Sequence, residues 1–279
     1  MQTRRDFLIG SGTLAIGSLV LPSCVTSGGK INNPGIQLYT VRNEMLADAK
    51  GTLKQLAVLG IKQIESAGSD KGHYYGLTPA EMKETCKSLG MTIRSGHVQL
   101  NDKWEQTMKE AVESGQEYLI CSSMPTHGQT VENYKKVSKQ FNKAGEQCKK
   151  LNIKFGYHNH DVEFEKDNGK ILYDVMLEET DPEFVCMEMD LGWVVVAGFN
   201  PLDYFSKHPG RFKLWHLKDM DLVKKHSTEF GKGGLNIQQM FDNAKQSGME
   251  YFFIEQEEYA STPFESMQYN MEYLKKLNF

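Results

Sequence analysis

A short β-type run, a loop and a helix-type run recur eight times along this chain, at intervals of about 25 to 35 residues. Apolar runs and alternation predict strands at Gly35–Tyr39, Ile61–Ser66, Met91–Val98, Tyr118–Ser122, Ile153–His158, Phe184–Asp190, Phe212–Leu217 and Tyr251–Glu255. Helical spacing predicts helices at Glu44–Leu59, from Thr78 to Gly90, and at Asp102–Ser114, Val131–Leu151, Ile171–Glu179, Pro201–Lys207, Ile237–Ser247 and Pro263–Leu277. Thr78-Pro79-Ala80-Glu81 joins a capping Thr, a Pro at the first helical position and a Glu at the third, which is a strong start signal. Eight strand–helix pairs predict a (β/α)8 barrel, a TIM barrel, in the α/β class. A doubly wound open sheet is the alternative, but no GxGxxG follows any strand and there is no P-loop.

The repeat spans residues 30–279 as one domain. With 39% hydrophobic and 24% charged residues the chain can bury one large core. A net charge of -4 lacks the basic footprint of a nucleic-acid binder, so no nucleic-acid partner is expected. The first 29 residues read differently. Thr3-Arg4-Arg5-Asp6-Phe7-Leu8-Ile9 resembles a twin-arginine export signal, and the apolar, Gly-containing stretch Leu8–Leu21 is too short for a membrane span. Leu21-Pro22-Ser23-Cys24 resembles a lipobox, which implies lipidation of Cys24. The expectation is a protein exported to the Gram-negative periplasm that touches the membrane only through a lipid anchor, the alternative being a plain export peptide cleaved elsewhere. Cys86, Cys121, Cys148 and Cys186 show no CxxC spacing; Cys121 and Cys186 lie in apolar runs and read as buried small hydrophobes.

In a barrel of this kind the chemistry sits at the C-terminal ends of the strands. Tyr157-His158-Asn159-His160-Asp161-Val162-Glu163-Phe164 concentrates potential ligands just past the fifth strand. Alternation of side chains makes His158, Asp190, His216 and Glu255 the last inward residues of strands five to eight. Two imidazoles and two carboxylates suit one divalent ion of the Mn²⁺, Fe²⁺, Co²⁺ or Zn²⁺ type. Singly, such a residue at a strand end is more often a loop cap or a surface hydrogen-bonding group; their equivalent positions on four successive strands favour ligation. His97 and Glu65, at the ends of strands three and two, are candidates for holding substrate, as are Trp193 and Glu257. His160, Glu163 and Lys218 are candidates for moving a proton.

The segments Tyr157-His158-Asn159-His160, Asp190-Leu191-Gly192-Trp193, Trp215-His216-Leu217-Lys218-Asp219 and Phe253-Ile254-Glu255 resemble the xylose-isomerase-like TIM-barrel family. That group includes sugar epimerases and isomerases, inosose dehydratase and endonuclease-IV-type enzymes. The resemblance runs from Gly35-Ile36-Gln37-Leu38-Tyr39 onward and implies one divalent ion on His158, Asp190, His216 and Glu255, with Glu255 also the general base. Two positions depart from the pattern. Many ketose epimerases have Glu where this chain has His158, and a substrate-binding His where it has Trp193, which could stack on a sugar ring.

The implied chemistry is deprotonation next to a carbonyl to give an enediolate. Reprotonation gives a sugar isomerase or epimerase, the first expectation. Loss of a β-leaving group gives a lyase or dehydratase acting on a 3-keto-glycoside or inositol-like polyol, and His158 together with export leans toward it. A non-catalytic carbohydrate-binding barrel is the third expectation. In every case the partner is a small sugar or glycoside.

Overall fold

The computed structural model describes residues 33–277. The export and lipidation motifs, including Cys24, lie outside the described residues. Eight parallel strands close into a barrel in sequence order. They are β1 (Gly35–Gln37), β2 (Gln63–Ser66), β3 (Thr92–Val98), β4 (Tyr118–Cys121), β5 (Lys154–His158), β6 (Val185–Asp190), β7 (Phe212–Leu217) and β8 (Tyr251–Ile254). The barrel closes where Gly35 pairs with Phe253 and Ile36 with Ile254. Gly35 is required there: a Cβ would lie 2.6 Å from both the Phe253 ring and the Phe252 carbonyl.

The strand alternation holds. Along β7, Phe212, Leu214 and His216 alternate with Trp215 and Leu217; Trp215 stacks on Phe205 of the outer helical layer, ring centroids 5.2 Å apart. Outward residues Leu119, Phe155, Tyr157, Met187, Met189 and Phe252 are all buried beneath the helices. That leaves the inward set free to carry polar chemistry at the top of the barrel.

The helices follow the predicted pattern with departures; the helix expected at 237–247, for one, is two, Ile237–Asp242 and Ala244–Ser247, because Asn243 (φ -108°, ψ 9°) leaves helical geometry between them. The helix expected at 44–59 is two, Arg42–Ala47 and Ala49–Leu59, because Asp48 leaves helical geometry (φ -152°, ψ 89°) and caps the second through Gly51 N. Leu191–Val196 is helical although its valines favour extended structure, because the Asp190 side chain accepts from Trp193 N and starts a turn. Asp219–Asp221 and His226–Thr228 pair as an antiparallel ribbon beyond β7. The capping box at Thr78 and Glu81 forms with both reciprocal hydrogen bonds. All four cysteines of the barrel are free thiols; Cys121 is buried, whereas Cys186 is only partly covered.

Candidate metal centre at the barrel mouth

β5 to β8 deliver His158, Asp190, His216 and Glu255 to one point, and one donor atom of each lies within 4.8 Å of the others. All four side chains are buried. His216 Nδ1 is 2.9 Å from His158 Nε2, 2.8 Å from Glu255 Oε2 and 3.8 Å from Asp190 Oδ2; His158 Nε2 is 3.5 Å from Asp190 Oδ2. Donors about 2.0–2.2 Å from a shared ion, at tetrahedral to octahedral angles, are spaced by about 3 to 3.5 Å. Asp190 Oδ2 is buried with no hydrogen-bond partner. Two imidazole nitrogens facing each other beside two carboxylates, with an orphaned carboxylate oxygen among them, form a donor set that fits a divalent cation.

Local structure fixes these side chains. Asp190 uses Oδ1 to cap the following helix through Trp193 N, 2.9 Å, which leaves Oδ2 directed at the cluster. Asn159 ties β5 to β6: its Oδ1 accepts from Asp190 N (3.2 Å) and its Nδ2 donates to Asp190 O (3.4 Å). Gly192 lets the turn after Asp190 approach the chain leaving β7, since a Cβ there would lie 2.7 Å from the Lys218 carbonyl.

Lys218 is as buried as the ligand set, a costly place for an ammonium unless it is paired. It lies 2.9 Å from Glu255 Oε2, 2.9 Å from Glu257 Oε1 and 3.2 Å from Asp190 Oδ2, and 5.0 Å from the centre of the Trp193 ring. Burial alone would lower its pKa, but Asp190 and Glu255 hold it well above the ordinary lysine value, so it stays cationic. The same pairing outweighs burial at Glu255, which Lys218 and His216 hold well below the usual carboxylate range. Asp190 is lowered likewise, burial again being outweighed by Lys218 and then by the histidines. Burial and the His216 charge push His158 well below its ordinary value. Burial would lower His216 too, but Glu188 and Glu255 overcome it and raise it well above.

Beneath this cluster is a second polar layer. His216 Nε2 is 2.7 Å from Glu65 Oε1, and His97 Nε2 is 2.7 Å from Glu188 Oε2. Burial raises Glu188 to about 7, and burial with Glu188 raises Glu65. Burial lowers His97 to about 4.

Above the cluster opens a cavity of about 660 Å³. His158, Glu255, Lys218, His97, His160, Trp193 and Glu257 line it, so most of the residues singled out in the sequence share one chamber. Two do not. Glu65 is fully buried below the cavity, where Gln37 and His216 take its carboxylate, so it does not reach a substrate. Glu163, expected to move a proton, is folded back: Tyr157 OH and His160 N donate to it at 2.6 Å each, and it positions the His160 loop instead.

The opposite wall comes from the first four strands. It includes Tyr39, Asp70, His73, Asn101 and Ser122, none of which the ligand pattern marks: Asp70, His73 and Asn101 lie on loops with no periodic signal, and Tyr39 and Ser122, at the ends of the first and fourth predicted strands, are not ligand-type residues. Asp219 was also unmarked as a site residue. Its carboxylate accepts from the backbone N–H groups of Met220, Gly231, Gly233 and Leu235 at 2.8–3.1 Å, which pins the loop after Lys218. The glycines at 231, 233 and 234 are its sequence signal.

A sugar phosphate isomerase/epimerase from Parabacteroides distasonis superposes with a TM-score of 0.78 at 27% identity, covering 90% of this chain and 96% of that one. The IolI protein, solved with a zinc atom, shares the fold at 13% identity and a TM-score of 0.68, covering 86% of this chain and 95% of that one. An inosose dehydratase from Clostridium tetani is 36% identical over 97 residues, which is 34% of this chain and 32% of that protein. The chain thus spans about a third of that relative, and 52% of a second inosose dehydratase, from Bacillus cereus. Residues 53–277, most of the barrel, match one family along their length, and on that match the chain belongs to the xylose isomerase-like TIM barrel family.

Proposed function

We propose that this protein is a divalent-metal-dependent sugar isomerase or epimerase that removes a proton next to a carbonyl. The convergence of His158, Asp190, His216 and Glu255 at one point, with His158 and Glu255 facing the cavity, carries this reading. These four residues would hold one ion of the Mn²⁺, Fe²⁺, Co²⁺ or Zn²⁺ type. When bound, such an ion supplies polarisation of a substrate carbonyl and stabilisation of the negative charge that develops on its oxygen.

The chain's own groups account for the remaining steps. Glu255, kept ionised by Lys218 and His216, is the base. Lys218 stays protonated and donates to a substrate oxygen, so it stabilises charge rather than accepting the proton. His160 faces the same cavity and is the group that returns a proton from the β5 side. Trp193 offers an aromatic face to the C–H side of a sugar ring. Lys218 is the one Lys or Arg among the described lining residues, and three carboxylates already neutralise it. The cavity therefore favours an uncharged polyhydroxylated substrate over a phosphorylated one.

A second reading, elimination from a 3-keto-glycoside or keto-polyol, is favoured by one observation. β5 presents His158, whose pKa is lowered, and not a carboxylate opposite Glu255. The name inosose dehydratase on several curated relatives points the same way. Incubation of the metal-loaded protein in D₂O with ketoses and with 3-keto-glycosides separates the two. Solvent deuterium in a product of unchanged formula supports isomerisation, and release of water or aglycone supports elimination. Absence of exchange with every substrate, together with unchanged ligand binding in a His216→Ala variant, would leave a carbohydrate-binding barrel and sink both enzyme readings.

The same proposal takes residues 1–29 as an export signal with lipid on Cys24, supported by the Arg4-Arg5 pair and the Leu21–Cys24 motif. A radiolabelled fatty acid incorporated by the wild type and lost in Cys24→Ala tests it; equal labelling of both contradicts it.

A further inference from the structure

We infer that His73, on the loop after β2, recognises a hydroxyl at the end of the substrate remote from the metal centre and so selects six-carbon hydroxy-ketones over shorter ones, a selection that rests on the function proposed above. From Ala67 to His73 every residue but Lys71 lines the cavity. β2 and β6 stand opposite each other in the closed ring of eight strands, so this wall faces Trp193, which follows β6. A hydroxy-ketone held at the ends of β5 to β8 reaches the wall only if its chain or ring carries hydroxyls well beyond the carbonyl.

The loop is pinned in place. Gly72 (φ 86°), Tyr75 (φ 54°) and Gly76 (φ 88°) all take left-handed backbone. For a tyrosine that conformation is strained and persists where the surroundings enforce it. Here Tyr74 and Tyr75 are both buried, and Tyr74 OH donates to Gln116 Oε1 at 3.2 Å. Lys71 Nζ donates to Leu46 O at 2.7 Å, and Ser69 Oγ donates to Gly72 O at 2.7 Å. These ties fix the segment that carries Asp70 and His73.

His73 is only partly exposed, and its Nδ1 is buried with no hydrogen-bond partner. Buried polar atoms normally have one. Gly68 stands beside that edge of the ring: a Cβ there would meet only His73 Cε1 and Nδ1 within 4 Å, both at 4.0 Å, so the missing side chain leaves an approach to the nitrogen. Burial lowers the His73 pKa below its ordinary value, so the ring is neutral at pH 7 and offers one acceptor and one donor. A neutral imidazole suits a hydroxyl, and the exposed Asp70 carboxylate in the same wall repels a phosphate.

Calorimetry on the purified protein with Mn²⁺ added tests this, with D-erythrulose, the D-ketohexoses and the inososes as probes. At least one six-carbon probe should bind the wild type about tenfold more tightly than D-erythrulose, the worth of one hydrogen bond. His73→Ala and Gly68→Ala should abolish that preference and leave D-erythrulose binding within about twofold. His73→Asn, whose Oδ1 takes the place of Nδ1, should keep most of it. A wild type without the preference, or a folded His73→Ala variant that keeps it, overturns the assignment. If His73→Ala does not fold, Gly68→Ala decides, since its methyl meets nothing closer than 4.0 Å. Solvent deuterium uptake by the same probes is read separately. Uptake without a six-carbon preference sinks the role of His73 alone; a His73-dependent preference without uptake sinks the proposed reaction and leaves that role standing.

Discussion

At the N-terminal ends of the barrel strands carboxylates meet several cations and hydroxyls; at the C-terminal ends Asp190, Glu255 and Glu257 share one cation, Lys218, and the carboxylates otherwise meet imidazoles. On the first side, Glu250 lies 2.5 Å from Lys154 and 3.5 Å from Lys213 and accepts from Tyr118 OH at 2.5 Å. Glu117 pairs with Arg94 and accepts from Tyr251 OH at 3.0 Å. On the second side, His158 Nδ1, Asp190 Oδ2, Glu65 Oε2 and Glu188 Oε1 are all buried without a hydrogen-bond partner. Buried polar atoms normally find partners, and leaving one unmatched costs about 1–3 kcal/mol. The carboxylates Glu117 and Glu250 are thus matched at the bottom, whereas at the top four ligand-type atoms lack hydrogen bonds, of which Asp190 Oδ2 has the Lys218 ion pair. The difference teaches where the fold is held together and where it is held ready for something that the side chains alone do not supply.

The largest effect expected on this contrast is catalytic. Asp190→Ala should lower turnover about a thousandfold or more, since it removes both a candidate ligand and a partner of Lys218. Glu250→Ala should leave turnover within about twofold, because it acts at the other end. Steady-state kinetics of the two variants makes the comparison directly. If both lose activity equally, the division between the ends is wrong.

A smaller effect is on stability with metal. A divalent ion at 100 times its Kd should stabilise the apo protein by about 2.7 kcal/mol. For a chain of this size that raises Tm by several degrees, read by calorimetry, and the shift should vanish in His216→Ala.

At the bottom, Glu250→Gln should cost about 1–2 kcal/mol in urea unfolding, modest because the Lys154 side chain is half exposed. It should also change the pH dependence. Burial alone would raise Glu250, but Lys154 and Tyr118 hold it below its ordinary value. Its contribution is therefore present above the unfolded carboxyl pKa and is lost as pH falls through the folded one. The variant should lose less stability than wild type between neutral and acid pH. An acid limb of equal slope in both would show that Glu250 is not a bottom anchor.

The smallest effect is at the cavity wall. Trp193→Ala should raise KM about five- to tenfold with kcat within about twofold, because the ring binds substrate and does not move a proton. A fall in kcat alone would instead assign Trp193 to holding Lys218, which lies over it.

Both ends of this contrast were unequally legible in the sequence. The barrel was readable because eight periodic runs each imply a strand or helix whatever their neighbours do. The convergence of His158, Asp190, His216 and Glu255 was readable for the same reason: period-two alternation fixes the last inward residue of a strand. What was hidden depends on distant partners. Glu65 shares an inward face with the ligand strands, yet sits too deep to reach substrate, and only the position of Gln37 and His216 reveals it. Glu163 is near His160 in sequence but turned toward Tyr157. The helix Leu191–Val196 was hidden because its valines favour strands and its start depends on Asp190 acting as a cap. The break at Asp48 is a local competition between side-chain capping and helix continuation, which the spacing of apolar residues does not register.

The claim that the top of the barrel is built around a cation is tested most directly by metal content after chelation and back-titration with Mn²⁺ or Zn²⁺. The account predicts one divalent ion per chain in the wild type and in Glu250→Gln, and none in His216→Ala. A folded wild type that takes up no stoichiometric ion, or a His216→Ala variant that keeps it, would contradict the account.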